Sequence, residues 1–220
     1  MTIQEIHRLV RTKFEQVAAG TLDNFIEEEI DDYINDAVER FINEQMLALR
    51  SANSSMQTEQ VYESLRSLIE TDNINLSEAL SPPLSVITTV NVRIGDLPTE
   101  YRAFISARSV TENNFTNVNK VTQREFFEYL PTETDIPLFK DNILVINNND
   151  VWVAYETGGS EVTDLLLTYL REPTRANYNT DTTVDLPPSE HTKIVSMVVN
   201  LMRRDLYIPQ PTEEEEEDDG

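Results

Sequence analysis

The sequence predicts an α+β fold, with a helical N-terminal part and a C-terminal helix packed with an antiparallel β-sheet or sandwich. Three observations carry this expectation. Apolar residues recur at helical spacing up to about residue 72, at the alternating spacing of strands through the middle of the chain, and at helical spacing again from residue 187. The expected division is therefore a helical part over 1–72, a β-rich part over 73–207 that includes a short helix at 122–130 and the closing helix at 187–206, and an acidic tail over 208–220. A length of 220 residues suits one domain, or one plus an appendage. A hydrophobic content of 39% is enough for a core.

The elements follow in order. Thr2-x-x-Glu5 is a capping box that opens a helix through about Ala19, with Ile3, Ile6, Val10, Phe14 and Val17 on one face and Gly20 as its stop. A second helix is expected from Asn24 to Arg50, about 40 Å long at 1.5 Å per residue. Its apolar pairs Phe25/Ile26, Tyr33/Ile34, Ala37/Val38 and Phe41/Ile42 step by four. Each step overshoots a 3.6-residue turn by about 40°, so the stripe precesses and its two ends require different partners or a bend. A third, shorter helix is expected from Thr58 to Ile69, and Pro82-Pro83 closes the helical half.

Alternation over Ser85–Ile94 and Phe104–Val110 predicts two strands joined by the turn at Gly95–Pro98. Thr122-x-x-Glu125 opens a short helix that Pro131 closes. A meander is expected next. Ile143–Ile146 turns at Asn147–Asp150 into Val151–Glu156, and Gly158-Gly159 turns that strand into Val162–Leu170. Pro187-Pro188-Ser189 then opens a last helix to Leu206, with Ile194, Val195, Val198, Val199 and Met202 apolar. Pro209 and Pro211 release the tail.

Composition narrows the function. The chain has no cysteine, two histidines and five glycines, with 40 acidic against 17 basic residues and a formal charge of −23. Without cysteine there is no thiol nucleophile or thiolate metal site. None of the glycines belongs to a phosphate-binding loop. No apolar run approaches the roughly 18 residues that span a bilayer, and MTIQEIHRLV lacks the apolar core of a signal peptide. The run Glu213, Glu214, Glu215, Glu216, Glu217, Asp218, Asp219 carries seven of the charges, leaving a body of 33 acidic and 17 basic residues. That excess repels nucleic-acid backbones and anionic membranes. The run reads as a solvated tail, or as an arm that docks on a basic partner.

The search for catalytic chemistry finds no signature. Glu27, Glu28, Glu29, Asp31 and Asp32 cluster at a helix start, where the helix dipole favours carboxylates without a metal. Asp135, Asp141, Asp150 and Asp164 are candidates for a metal-dependent nuclease, but each reads as a turn or edge residue. His7 and His191 have no spaced partners and read as surface or capping residues. Ser106 and Ser109 lie in strand text without a nucleophile elbow, and Arg203-Arg204 suits a helix C-terminus. Trp152, Tyr155 and Tyr169 read as core or sheet-face residues. The expectation is a protein that is not an enzyme and holds no cofactor or metal.

Four stretches in order carry a likeness: MTIQEIHRLV, the helix EEEIDDYINDAVERFINEQ, the strand TDLLLTYLREP and the closing DLPPSEHTKIVSMVVNLMRRDL. They include an Ile-Asp run followed by Tyr33, Asn35 and Ala37, the step from Tyr169 to Pro173, and the Leu-Pro…His…Ile-Val helix from Leu186 to Val195. Together they resemble the neck ring proteins, or head-to-tail connectors, of crAss-like tailed phages. The likeness touches about a third of the residues but spans nearly the whole chain.

The resemblance implies a virion structural protein of the neck or tail region, present in the host cytoplasm during assembly. It implies a closed homo-oligomeric ring, commonly a dodecamer, whose partners are itself, the portal protein and neighbouring neck or tail proteins. Genomic DNA passes through its channel without specific binding, and no membrane is involved. Ile34, Val38, Phe41, Ile42 and Met46 of the precessing stripe are then the expected oligomer or partner interface, one side serving the subunit's own sheet and the other a neighbour. The competing expectations are another tail- or capsid-associated virion protein, or an acidic protein that mimics DNA. Deleting residues 212–220 is expected to leave the melting temperature nearly unchanged by calorimetry; a large drop would mean that the tail docks within the subunit.

Overall fold

The computed structural model describes residues 1–17, 25–52, 54–78, 90–112, 114–129, 142–156, 161–181 and 184–206. The expected features at Gly20, Pro82-Pro83, residues 85–89, Pro131, Asp135, Asp141, Gly158-Gly159, Pro209, Pro211 and the run Glu213–Asp219 lie outside these residues. The class is α+β. Two compact units divide the chain, one formed by Met1–Leu68 with Pro173–Gly220 and the other by Ile69–Glu172.

The first unit is helical. Its elements are α1 (Ile3–Val17), α2 (Glu27–Ser51), α3 (Ser55–Leu65) and α5 (His191–Asp205), with 3-10 turns at Arg66–Leu68 and Tyr178–Thr180. The Thr2/Glu5 box forms as the spacing predicts, with the Glu5 N–H donating to Thr2 Oγ1 at 3.2 Å and the Thr2 N–H to Glu5 Oε2 at 3.0 Å. Helix α1 buries Ile3, Ile6, Val10 and Phe14 completely. Helix α2 begins at Glu27, so Phe25 and Ile26 precede it, and Glu29 accepts the Ile26 N–H at 3.2 Å. Helix α3 begins at Ser55, three residues before the expected start at Thr58, and Ser54 caps it by accepting the Gln57 N–H.

The closing helix corrects the expected division. Instead of joining the β-rich part, α5 packs against α1 and α2 within the helical unit. The physical reason is its own stripe, Ile194, Val195, Val198, Leu201 and Met202, which is buried. A stripe of that width must be covered, and α1 and α2 cover it.

The same packing corrects the expected interface. Ile34, Phe41 and Ile42 are fully buried and Val38 is 6% exposed, so these side chains belong to the unit's own core. Lys193 of α5 caps that surface, its Nζ 4.6 Å from the Phe41 ring centroid and 3.6 Å from Glu44. Met46 alone of the five is partly exposed. The precession is real in its consequence. The start of α2 meets the 3-10 turn at 178–180, its body meets α5 and its end meets α3, where Ser64 donates to Gln45.

The second unit is an eight-stranded sheet of β1 (Ile69–Asn75), β2 (Ser77–Glu78), β3 (Val90–Asp96), β4 (Tyr101–Val110), β5 (Phe115–Lys120), β6 (Asn142–Asn147), β7 (Asp150–Glu156) and β8 (Asp164–Arg171), plus the short helix α4 (Gln123–Tyr129). The strand order is β1-β8-β4-β5-β6-β7-β3-β2. It is mixed rather than antiparallel, because β5 and β6 run parallel over Val118–Lys120 and Asn142–Leu144. Parallel neighbours need a crossover, and α4 lies in it, burying Phe126 on Ile143, Val145 and Ala154.

The two ends of the strand order, β1 and β2, are separated in the chain by Leu76 alone. The sheet therefore curls until one stretch of chain serves both ends. Ile74, Leu76, Val118, Leu144, Val153, Leu165 and Leu167 fill the concave side. At the seam, a Cβ on Gly95 would sit 2.5 Å from Ile74 Cγ2, so the close approach requires glycine. Arg93 secures the seam by donating to Leu76 O at 3.3 Å, to the Tyr155 hydroxyl at 3.2 Å and to Glu161.

Because Phe41 is fully buried, Phe41→Asp is expected to unfold the helical unit rather than only block assembly. Phe41→Ala should cost about 3–5 kcal/mol. Circular dichroism melts would check both, and a folded, merely monomeric Phe41→Asp protein would contradict the core assignment.

Candidate functional site

Two apolar stripes each carry one polar member, and the fold brings these together. His7 stands between Ile6 and Val10 on the buried face of α1, and Asp31 between Ile30 and Ile34 on that of α2. His7 Nε2 donates to Asp31 Oδ1 at 2.8 Å, and Asp31 Oδ2 accepts the Tyr178 N–H at 2.9 Å. The Tyr178 ring covers the imidazole at a centroid distance of 4.9 Å. His7 is 2% exposed and its Nδ1 has no hydrogen-bond partner among the described residues. Sequence reasoning reads His7 as a surface residue and Asp31 as a helix-dipole carboxylate. Both are instead buried connectors, and their places on the stripes are the signal that marks them. Closed off from solvent, the pair can join elements but cannot reach a substrate.

His191 is likewise buried, not a surface cap. Its Nε2 donates to Leu186 O at 2.8 Å, and its Nδ1 lies 3.0 Å from the Met1 nitrogen. Burial lowers its pKa, against the opposing pull of the Leu186 carbonyl.

The other candidate side chains stay apart. Asp150 opens β7 opposite Asn147, whereas Asp164 opens β8 and accepts from Asn73 and Thr163. Ser106 is exposed, and Ser109 is buried, bonded to Thr116 O and Asn142. Trp152 packs edge-on against Phe126 at 6.4 Å. Tyr169 donates to Asp72 at 2.9 Å, and burial together with that bond raises its pKa. Among the described residues, no three His, Asp or Glu side chains converge as metal ligands.

Large apolar side chains also face outward. On the helical unit, Met56 of α3 is 69% exposed and Leu47 of α2 is 67% exposed. Two adjoining clefts here share Gln60, Ser64 and Glu190. The larger, about 520 Å³, is lined by Met56, Glu59, Glu63 and Pro187 among others. On the sheet unit, Phe115 of β5 is 66% exposed. Nothing in the periodicity marked Met56 or Phe115, because a single apolar residue in polar surroundings carries no pattern.

The buried His191 makes the helical unit pH-sensitive. A histidine whose folded pKa is depressed is neutral in the folded protein where the unfolded chain is protonated. Its contribution is full above the unfolded value of about 6.5 and is lost as pH falls below it. The melting temperature should therefore drop from pH 7.5 to pH 5, and His191→Gln, which keeps a donor for Leu186, should flatten that slope in calorimetric scans. Compared with known proteins, the chain matches no protein-family model and no curated sequence.

Proposed function

We propose that this chain is a virion structural protein, a head-to-tail connector (neck) ring subunit of a crAss-like tailed phage that links portal and tail and leaves a channel for DNA. It acts by assembly rather than turnover. The ordered motifs that resemble that family carry the proposal from the sequence. The observation that supports it in the structure is that both units carry exposed large apolar side chains, Ile26, Leu47, Met56 and Leu206 on the helical unit and Phe115 on the sheet unit. A cyclic ring joins two different patches of each subunit, a heterologous contact that closes by rotation. An isologous dimer would need only one patch.

The charge fits the same reading. A body with 33 acidic and 17 basic residues gives a channel wall that does not hold phosphates, since retention needs arrays of Lys and Arg. The partners in this reading are other copies in a twelve-fold ring, the portal protein and adjacent neck or tail proteins. Electron microscopy and mass spectrometry of purified virions test it. The expected outcome is the chain in ring density at the neck, and its absence from virions would overturn the proposal.

A further inference from the structure

A contact between copies of so acidic a chain is favoured where it sets cations against acids. Arg11, Arg40, Arg66, Arg102, Arg171 and Lys193 already pair with carboxylates of their own subunit. Arg108 on β4 is exposed and makes no ion pair among the described residues. The β4–β5 register sets Arg108 opposite Asn117 and Val110 opposite Phe115, so Arg108 and Phe115 share one face as diagonal neighbours. The sheet unit thus presents an aromatic knob beside a free cation.

The helical unit presents the reciprocal surface. Met56 and Glu59 lie three residues apart on α3, hence on one face of the helix. Glu59 is exposed and makes no ion pair among the described residues, and both side chains line the cleft of about 520 Å³, where Glu190 adds a second carboxylate while Glu63 is paired with Arg66 of the same lining. A concave site takes a projecting anchor, and aromatic residues and arginine are both enriched at interfaces. Leu47 and Arg50 on α2 also pair an apolar residue with a cation, but neither lines these clefts.

We infer that the α3 cleft of one copy, with Met56 and Glu59, receives the β4–β5 hairpin of the next copy, with Phe115 in the cleft and Arg108 against the acids. The inference rests on the ring reading and assigns that ring its contact. The chain has no cysteine, so cross-linking reports introduced positions alone. Both sites are exposed, and Met56→Cys and Phe115→Cys should leave the fold intact.

The double variant treated with a short bis-maleimide is expected to give a ladder of dimers, trimers and higher species, whereas each single variant stays uncross-linked. By sedimentation, Glu59→Arg and Arg108→Glu should each weaken self-association about tenfold, and the two together should restore it. Dimers from Met56→Cys alone would show an isologous contact and overturn the inference. So would no ladder, or charge variants without effect. Ring density in virions without the 56–115 link would sink this contact and leave the connector reading standing. A ladder from a protein absent from virions would do the reverse.

Discussion

One buried carboxylate organises the helical unit. Asp31 accepts hydrogen bonds from His7 on α1 and from the Tyr178 backbone, while its own helix packs on α5. It thereby ties three stretches that are distant in the chain, and the last of them belongs to the returning segment. A buried acceptor is tolerated only while its donors are in place. The geometry is therefore mutual: α1 must lie where His7 reaches α2, and residues 173–181 must close over both. Asn35 repeats the device one turn further on, donating to and accepting from the Ala176 backbone.

The sheet unit meets a different constraint, that of bringing two ends of a strand order to one place. The continuous stretch 69–78 does so by pairing first with β8 and then with β3. Gly95 and Arg93 make the seam workable, one by having no side chain and the other by filling the opening with hydrogen bonds. Long open strand edges invite unwanted pairing, and the curl removes much of that hazard.

The legible part of this chain was what obeys a period. The apolar stripes of α1, α2 and α5, the Thr2 and Thr122 capping boxes and the Asn147–Asp150 hairpin are where spacing places them, and Asn148 takes the positive φ that such a turn needs. Strands β1 and β5 were not legible, since Glu70–Asn73 and Asn117–Lys120 do not alternate. Pairing with the apolar β8 and with β4 imposes their conformation. The ownership of α5 was hidden for a related reason. An amphipathic helix declares that it has a buried face but not which neighbour covers it. At the candidate site, His7 and Asp31 stood in plain view on their stripes, whereas the outward residues Met56, Glu59, Arg108 and Phe115 are defined by three-dimensional neighbours that no spacing encodes.

The sheet unit, Ile69–Glu172, is an insertion into the helical one, and the Ile69–Leu170 pairing leaves its entry and exit strands side by side. The order of synthesis then matters. The stripes of α1 and α2 leave the ribosome early, but their cover, α5, is made only after the whole sheet unit. At about 5–20 residues per second this interval is roughly 5–25 s, long enough for the inserted unit to fold by itself. The helical unit is thus completed last, by its final helix. An interrupted chain carries a finished sheet and an open helical face, so the α3 cleft becomes fully framed only when Pro187 and Glu190 arrive to form its far wall.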